Sequence, residues 1–367
     1  MAAPNSFLFL PDISGFTRFV NRTEIQHSQH ITAELLELLI DANELGLTLA
    51  EIEGDALFFY KKDVLPSKEA LLKQVQAMFV KFHTHLKLYE QRRICQCGAC
   101  CMAASLELKF VAHAGYFDFI QIKEHRKPYG KSIIEAHRLL KNDVPIDEYL
   151  LLSKDLTATW EGGISLPDGW GALENSQSEY GEIGKIDYTY VSLSDFQKQA
   201  VLPAAPTQSI RIDAPVSMNI FVDLPIKEAF ELVSNFDYRM VWNTDADDIQ
   251  YEKNRMNRLG TKHFCVIDKD VIEFETTTAD FGADRIVYGE KFLEKVPGMK
   301  ELVTYFILER KDEGTLLTVE FHYKMVPVIG WLILPILKRK ISRNFKKMLS
   351  SFKRVAEAQT ELTLQKL

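Results

Sequence analysis

Residues 6–17 read Ser6-Phe7-Leu8-Phe9-Leu10-Pro11-Asp12-Ile13-Ser14-Gly15-Phe16-Thr17, and this stretch decides the fold of the first half. Ser6–Leu10 is a short continuous apolar run closed by a proline, the pattern of a buried strand. Asp12 stands at the strand end, Ser14 and Gly15 make a small-residue turn, and Phe16–Asn21 opens a helix. Free backbone N–H groups at such a turn can hold phosphate, and the carboxylate can hold Mg²⁺ or Mn²⁺. Outward from this point, His30–Asn43 has helical periodicity. Leu47–Glu53 and Asp55–Lys61 read as two strands of a hairpin around Gly54. Lys68–Glu90 is a long amphipathic helix. Strands at Leu106–Ala114 and Tyr116–Ile122, a helix at Ser132–Lys141 and strands at Tyr149–Ser153 and Ile186–Leu193 complete the half. The hairpin carries a second acid, Asp55. If the strands are neighbours, Asp12 and Asp55 converge on one site able to carry two metals, as in-line phosphoryl transfer requires. The plainer alternative makes Asp12 a helix cap and Asp55 a turn residue.

A chain of 367 residues suggests two domains. With 46% apolar and 26% charged residues it has the balance of a soluble globular protein. A net charge of −7 argues against a nucleic-acid binder, which needs clustered Lys and Arg. The first ten residues lack the features of a secretory signal, and no stretch reaches the roughly 18–20 apolar residues that cross a bilayer. Of five cysteines, four fall in Cys95-Gln96-Cys97-Gly98-Ala99-Cys100-Cys101. That is a local cluster, not a disulfide framework, and it fits a reducing cytoplasm. Thiolates of Cys95, Cys97, Cys100 and Cys101 suit tetrahedral Zn²⁺. Adjacent cysteines rarely both bind one ion, so three with a further ligand from elsewhere is the better count. The alternative is a flexible loop of reduced thiols or a redox-sensitive pair.

The segment Phe9–Thr17 resembles the opening motif of class III nucleotidyl cyclases, here of a divergent bacterial kind. Glu51–Asp55 resembles their second metal motif, Ala112-His113-Ala114-Gly115 their fourth-strand motif, and Gly130 through Ala136-His137-Arg138-Leu139 their Gly-to-Ala-x-Arg helix. The resemblance covers residues 1–196 and implies an α+β fold, a ferredoxin-like class III cyclase palm. It places Asp12 and Asp55 on the metal-binding aspartates and Arg138 on the transition-state arginine. Ser14, Gly15, Phe16 and Thr17 fall on the phosphate turn, and Glu51 and Lys127 on the base-selecting positions. It implies Mg²⁺ or Mn²⁺, a nucleoside triphosphate and a homodimer. Two positions depart: Ile134 stands where an asparagine orients the ribose, and Lys127 where aspartate or cysteine is usual. They favour a half that binds nucleotide or only dimerises, while Asp12, Asp55 and Arg138 keep a purine nucleotide cyclase open.

Residues 197–208 contain two prolines and read as a linker. Residues 209–360 follow, with a strand region at Ser209–Val222, a short helix at Ile226–Ser234, long β segments and a terminal helix from about Gly330. This order, with Asn235–Trp242 after the first helix, resembles the START-like helix-grip family, also called polyketide cyclase/dehydrase-like. The resemblance implies a sheet wrapped on the long helix around an apolar ligand, a lipid or another small molecule. Trp242, Phe264, Phe274, Tyr305 and Phe321 are the candidate lining, with ordinary core as the alternative. On the terminal helix Leu332, Ile336, Ile341, Phe345, Leu349 and Phe352 are expected to face the sheet. Its basic residues from Lys338 to Arg354 either meet an anionic membrane surface or are simply solvated.

Overall fold

The computed structural model describes residues 5–204, 209–244, 246–253, 255–267, 270–326 and 329–364. Residues 205–208 of the expected linker and Pro327 lie outside these, as does the side chain of Leu332. The described part of the linker is not all extended, since Ser194–Gln199 forms a 3₁₀ helix. The chain divides into two compact units, residues 1–202 apart from the segment Gln91–Cys97, and residues 203–367 with that segment.

The first unit runs β1 (Ser6–Ser14), α1 (Phe16–Arg22), α2 (Ile25–Asp41), β2 (Thr48–Glu53), β3 (Ala56–Lys61), α3 (Lys68–Gln91), α4 (Gly98–Met102) and β4 (Glu107–Gly115). It continues through the hairpin β5 (Asp118–Ile122) and β6 (His125–Tyr129), then α5 (Lys131–Leu139), β7 (Tyr149–Ser153), α6 (Lys154–Thr157), β8 (Glu174–Tyr180) and β9 (Gly184–Ser192). The sheet order is β2-β3-β1-β4-β7-β9-β8. Its first four strands are antiparallel and pair as β2-β3-β1-β4. This is the ferredoxin-like arrangement of a β-α-β-β-α-β chain, the expected palm. β1 is covered on both faces, which explains its unbroken apolar run. Phe7 and Phe9 stack on one side, with Phe9 against Phe110. Leu8 and Leu10 join Val111, Leu151 and Ala136 on the other. Gly115 is obligatory because a Cβ there would lie 2.1 Å from Ser132 Oγ at the start of α5. Two strands of this unit were not legible. β8 is a polar edge strand, and β6 pairs only with β5 in a separate ribbon.

The second unit runs β10 (Val216–Val222), α7 (Ile226–Ser234), α8 (Phe236–Trp242), β11 (Asp248–Gln250), β12 (Lys262–Ile267), β13 (Asp270–Thr277), β14 (Arg285–Phe292), β15 (Met299–Lys311), β16 (Gly314–Met325) and α9 (Ile329–Leu364). The seven strands form one antiparallel sheet in the order β10-β16-β15-β14-β13-β12-β11. With α9 packed on β10 and β16, this is the helix-grip arrangement. Trp242 fixes the helix side: its ring meets Phe306 of β15 at 6.3 Å and Phe352 of α9 at 5.2 Å. No described helix is long and apolar enough to cross a membrane.

Phe345, Leu349, Phe352 and Ala356 form the buried stripe of α9. Ile336 was expected in this stripe but is 73% exposed. It precedes Phe345 by nine residues, and nine steps of about 100° put it on the opposite side of the helix. Arg339, Lys340, Arg343 and Lys346 are exposed, whereas Lys338 lies 6.0 Å over the Tyr323 ring and Lys353 pairs with Glu357 at 3.6 Å. Phe352→Ala should therefore cost about 3–5 kcal/mol, and Ile336→Ser should stay within about 0.5 kcal/mol, both read from denaturation midpoints.

Candidate functional site

The register of β1 against β4 puts Asp12 directly opposite Lys109. Residues paired this way share a face and lie close together. Lys109 Nζ accordingly sits 3.0 Å from Asp12 Oδ2, with both side chains largely buried. Asp55 belongs to the same group. Its carbonyl accepts from Ile13 N–H at 3.2 Å, and Ala56 pairs with Asp12 across β1 and β3. Burial and the Asp12 charge push the Asp55 carboxyl up to about 6. The Lys109 ammonium is held above its ordinary value: burial opposes this, but the neighbouring Asp12, Tyr149 and Asp55 together outweigh it. The strand ends thus hold two carboxylates and one built-in cation. Lys109 takes one position on Asp12 Oδ2, so a divalent ion held here would share Asp12 with an ammonium of the chain itself.

The remaining nucleotide-site candidates are scattered or paired. Ser14 Oγ donates to the Asp147 carbonyl at 3.2 Å. Gly15 takes a left-handed φ of 83° and caps α1, which has only seven residues. Phe16 is half-buried and Thr17 exposed. The two base-selecting positions close on each other, with Lys127 Nζ 3.0 and 3.1 Å from the two Glu51 oxygens. Both are well exposed, so the pair adds little stability. Arg138 is exposed on the last turn of α5, and among the described residues no contact joins it to the aspartates. Its neighbour His137 turns to Glu53 at 3.2 Å instead. Ile134 is 54% exposed. His113 of the fourth-strand motif is buried, bonded to Ser153 Oγ at 2.8 Å and 3.7 Å from Glu135.

In the second unit the strand registers sort the aromatic candidates by face. Side chains alternate along a strand, and paired residues share a side. Phe306 pairs with Tyr288 and Val319, Glu290 with Thr276 and Thr304, and Thr304 with Phe321. Phe274 pairs with Phe292 and His263. Trp242, Phe274 and Phe321 are therefore on the helix side. Tyr305 and Phe264 are not. Tyr305 is one residue out of phase, buried against Phe281 and His322 with its hydroxyl donating to the Ile210 carbonyl at 3.1 Å. Phe264 is 38% exposed, between buried His263 and Cys265. Two described grooves of this unit, about 340 and 310 Å³, are lined by neither Trp242, Phe274 nor Phe321.

The helix side carries a polar cluster that the sequence did not reveal. Arg239 of α8 donates from Nη2 to Glu290 Oε2 at 2.7 Å and from Nη1 to the Val233 carbonyl at 3.0 Å. Its guanidinium lies 4.7 Å from both the Trp242 and Phe306 ring centres. Tyr288 donates to Glu290 Oε1 at 2.8 Å, and His263 Nε2 lies 3.5 Å from the same oxygen. Among the described residues, buried Arg239 Nε and His263 Nδ1 have no hydrogen-bond partner. Burial pushes the Glu290 carboxyl up, but Arg239, His263 and Tyr288 together hold it down to about 2. Three separate elements, α8, β12 and β14, supply these side chains, so no spacing in the chain announces the cluster.

The cysteines are also rearranged. Cys95, Cys97 and Cys100 gather with His27 of α2, their ligand atoms all within 4.8 Å of one another. Cys101 is exposed and outside the group. Successive residues of α4 are turned by about 100°, so Cys100 and Cys101 cannot face one point together. His27 stands where the spacing asked for a further residue from elsewhere.

Two outcomes follow from these pairs. Lys109→Met should cost about 1–3 kcal/mol by stranding Asp12, and adding Asp12→Asn should restore most of the loss in a double-mutant cycle. Glu290 has a depressed folded value, so its contribution is complete above its ordinary 4.5 and disappears as pH falls toward about 2. Glu290→Gln should lower stability by about 3–5 kcal/mol at pH 7, and the gap to the parent should shrink across that acid window.

Comparison with known proteins matches each half separately. Residues 32–149 match a family described as protein of unknown function (DUF2652). Residues 213–357 match the family described as polyketide cyclase/dehydrase and lipid transport. An uncharacterized protein, Rv2561/Rv2562 of Mycobacterium tuberculosis (strain ATCC 25618 / H37Rv), is 36% identical over 121 residues, 33% of this chain. The matched part spans 56% of that relative, about half its length. Among solved structures, the guanylate cyclase domain of RhGC from Catenaria anguillulae in complex with GTP is 15% identical, with a TM-score of 0.38 over 52% of this chain and 96% of its own. A START superfamily protein from Mycobacterium smegmatis is 15% identical, with a TM-score of 0.30 over 40% of this chain and 98% of its own. The chain is thus similar to cyclase domains in its first half and to the polyketide cyclase/dehydrase and lipid transport family in its second.

Proposed function

We propose that this chain is a binding protein and not a turnover enzyme: its second unit holds an apolar ligand and its cyclase-like first unit associates with a second copy. The observation that carries the non-catalytic half is Lys109 Nζ at 3.0 Å from Asp12. Phosphoryl transfer of the cyclase kind needs divalent cations on both carboxylates, and here a lysine takes one place. Glu51 and Lys127, which would choose the base, are bonded to each other. Nucleotide binding without cyclisation is compatible with this arrangement. A purine nucleotide cyclase using Mg²⁺ or Mn²⁺ is the second reading, favoured by the placement of Asp55 beside Asp12.

The match of residues 213–357 to a lipid-transport family supports an apolar ligand, a lipid or similar small molecule, on the helix side of the second sheet. The partnerless Arg239 Nε and His263 Nδ1 suit a ligand with one oxygen acceptor. Self-association is supported by the exposed apolar residues of the β5–β6 ribbon, Ile120, Ile122 and Tyr129. Reduced cysteines suit a cytoplasmic setting. The exposed basic residues of α9 would give weak contact with an anionic membrane.

The test incubates the full chain with ATP or GTP and Mn²⁺ or Mg²⁺, and separately measures thermal shift against fatty acids, phospholipids and isoprenoids. We expect no cyclic nucleotide or pyrophosphate above the blank and a saturable rise in melting temperature with one apolar class. Cyclic nucleotide formation that Asp12→Asn abolishes would restore the enzyme reading. Light scattering should give a dimer that Ile122→Asp dissociates.

A further inference from the structure

The geometry points to a structural zinc site of the Cys₃His type, held by His27, Cys95, Cys97 and Cys100, in which Cys101 has no part. The ligand atoms of these residues lie within 4.8 Å of one another, and three of the four residues are buried. A tetrahedral Zn²⁺ with Zn–S near 2.3 Å and Zn–N near 2.0–2.1 Å sets its ligands about 3.6–3.8 Å apart. The Cys100 Sγ to His27 Nδ1 distance is 3.7 Å. That is the edge of such a tetrahedron. None of the cysteines is in a disulfide.

The chain is arranged to bring these atoms together. Cys97-Gly98-Ala99-Cys100 has the C-x₂-C spacing of structural zinc sites, and Cys95 precedes it by two residues. The Cys97 backbone N–H donates to Cys95 Sγ at 3.4 Å, a bond that favours the thiolate. Glu24, just before α2, accepts from Ala99 N–H at 3.2 Å and so holds the start of α4 beside the first turn of α2, where His27 sits. A Cβ at position 98 would come within 3.1 Å of the Glu24 carboxylate, so glycine makes this approach comfortable. Four protein ligands leave no open position for substrate, which makes the site structural and not catalytic.

The test is metal analysis of the full chain purified without added metal or chelator. The expected result is about one Zn²⁺ per chain. Cys101→Ser should keep the metal, whereas His27→Gln and Cys100→Ser should lower the content at least about fivefold. Cobalt substitution should give the visible bands of tetrahedral thiolate Co²⁺, and strong chelation should lower the melting temperature by several degrees. The cobalt spectrum and the zinc content of the unmutated chain decide the matter even if a ligand variant fails to fold. Protein that is free of zinc as isolated and does not bind Co²⁺ would overturn the proposal. So would a His27→Gln variant with full zinc content, or a Cys101→Ser variant as depleted as Cys100→Ser.

Discussion

The pairing of β1 with β4 is the constraint on which the first unit depends. Its register runs without interruption from Ser6 opposite Gly115 to Ser14 opposite Glu107. A slip by one residue would turn Phe7 and Phe9 toward the side now filled by Leu8 and Leu10, and the two buried faces would both be lost. The same register leaves no freedom over what stands opposite Asp12. It is Lys109, and the chemistry of the strand ends follows from that lysine. Two carboxylates alone would repel each other and recruit cations from solution. With an internal ammonium on Oδ2, Asp12 has a partner supplied by the chain itself, while Asp55 retains a raised carboxyl value.

The second unit solves a similar problem in a drier place. Glu290, Arg239, His263 and Tyr288 are buried among aromatic rings. A buried ion pair is seldom a net source of stability, because desolvation offsets most of the attraction. Its retention here requires extra partners, and Glu290 has them on both oxygens. The guanidinium also lies over two aromatic faces, which hold a cation well when water is excluded. The result is a polar point within an otherwise apolar helix–sheet interface.

Much of the fold was legible because it rests on local patterns. The apolar run of β1, the hairpin around Gly54, the amphipathic α3 and the proline-rich break between halves each depend on neighbouring residues only. β8 escaped because a polar edge strand has no apolar signature. Phe264 and Tyr305 were misplaced because a strand's alternation tells which residues share a face, not which face the helix covers. Ile336 was misplaced because a proline-containing apolar run hides the phase that Phe345 and Phe352 set later in the same helix.

By itself the sequence determined the two-part organisation, the order of most elements and the residue types available to each site, since these follow from local propensity and periodicity. Only the tertiary structure decided which of those residues meet. Asp12 faces Lys109 across strands nearly a hundred residues apart, and Glu51 closes on Lys127. His27 joins Cys95 and Cys97 of the segment after α3 and Cys100 of α4, and Arg239 finds Glu290 beside Trp242. Each of these contacts is set by strand register or helix phase. A single residue's shift in either sends a side chain to the other face, and nothing local in the chain records that choice.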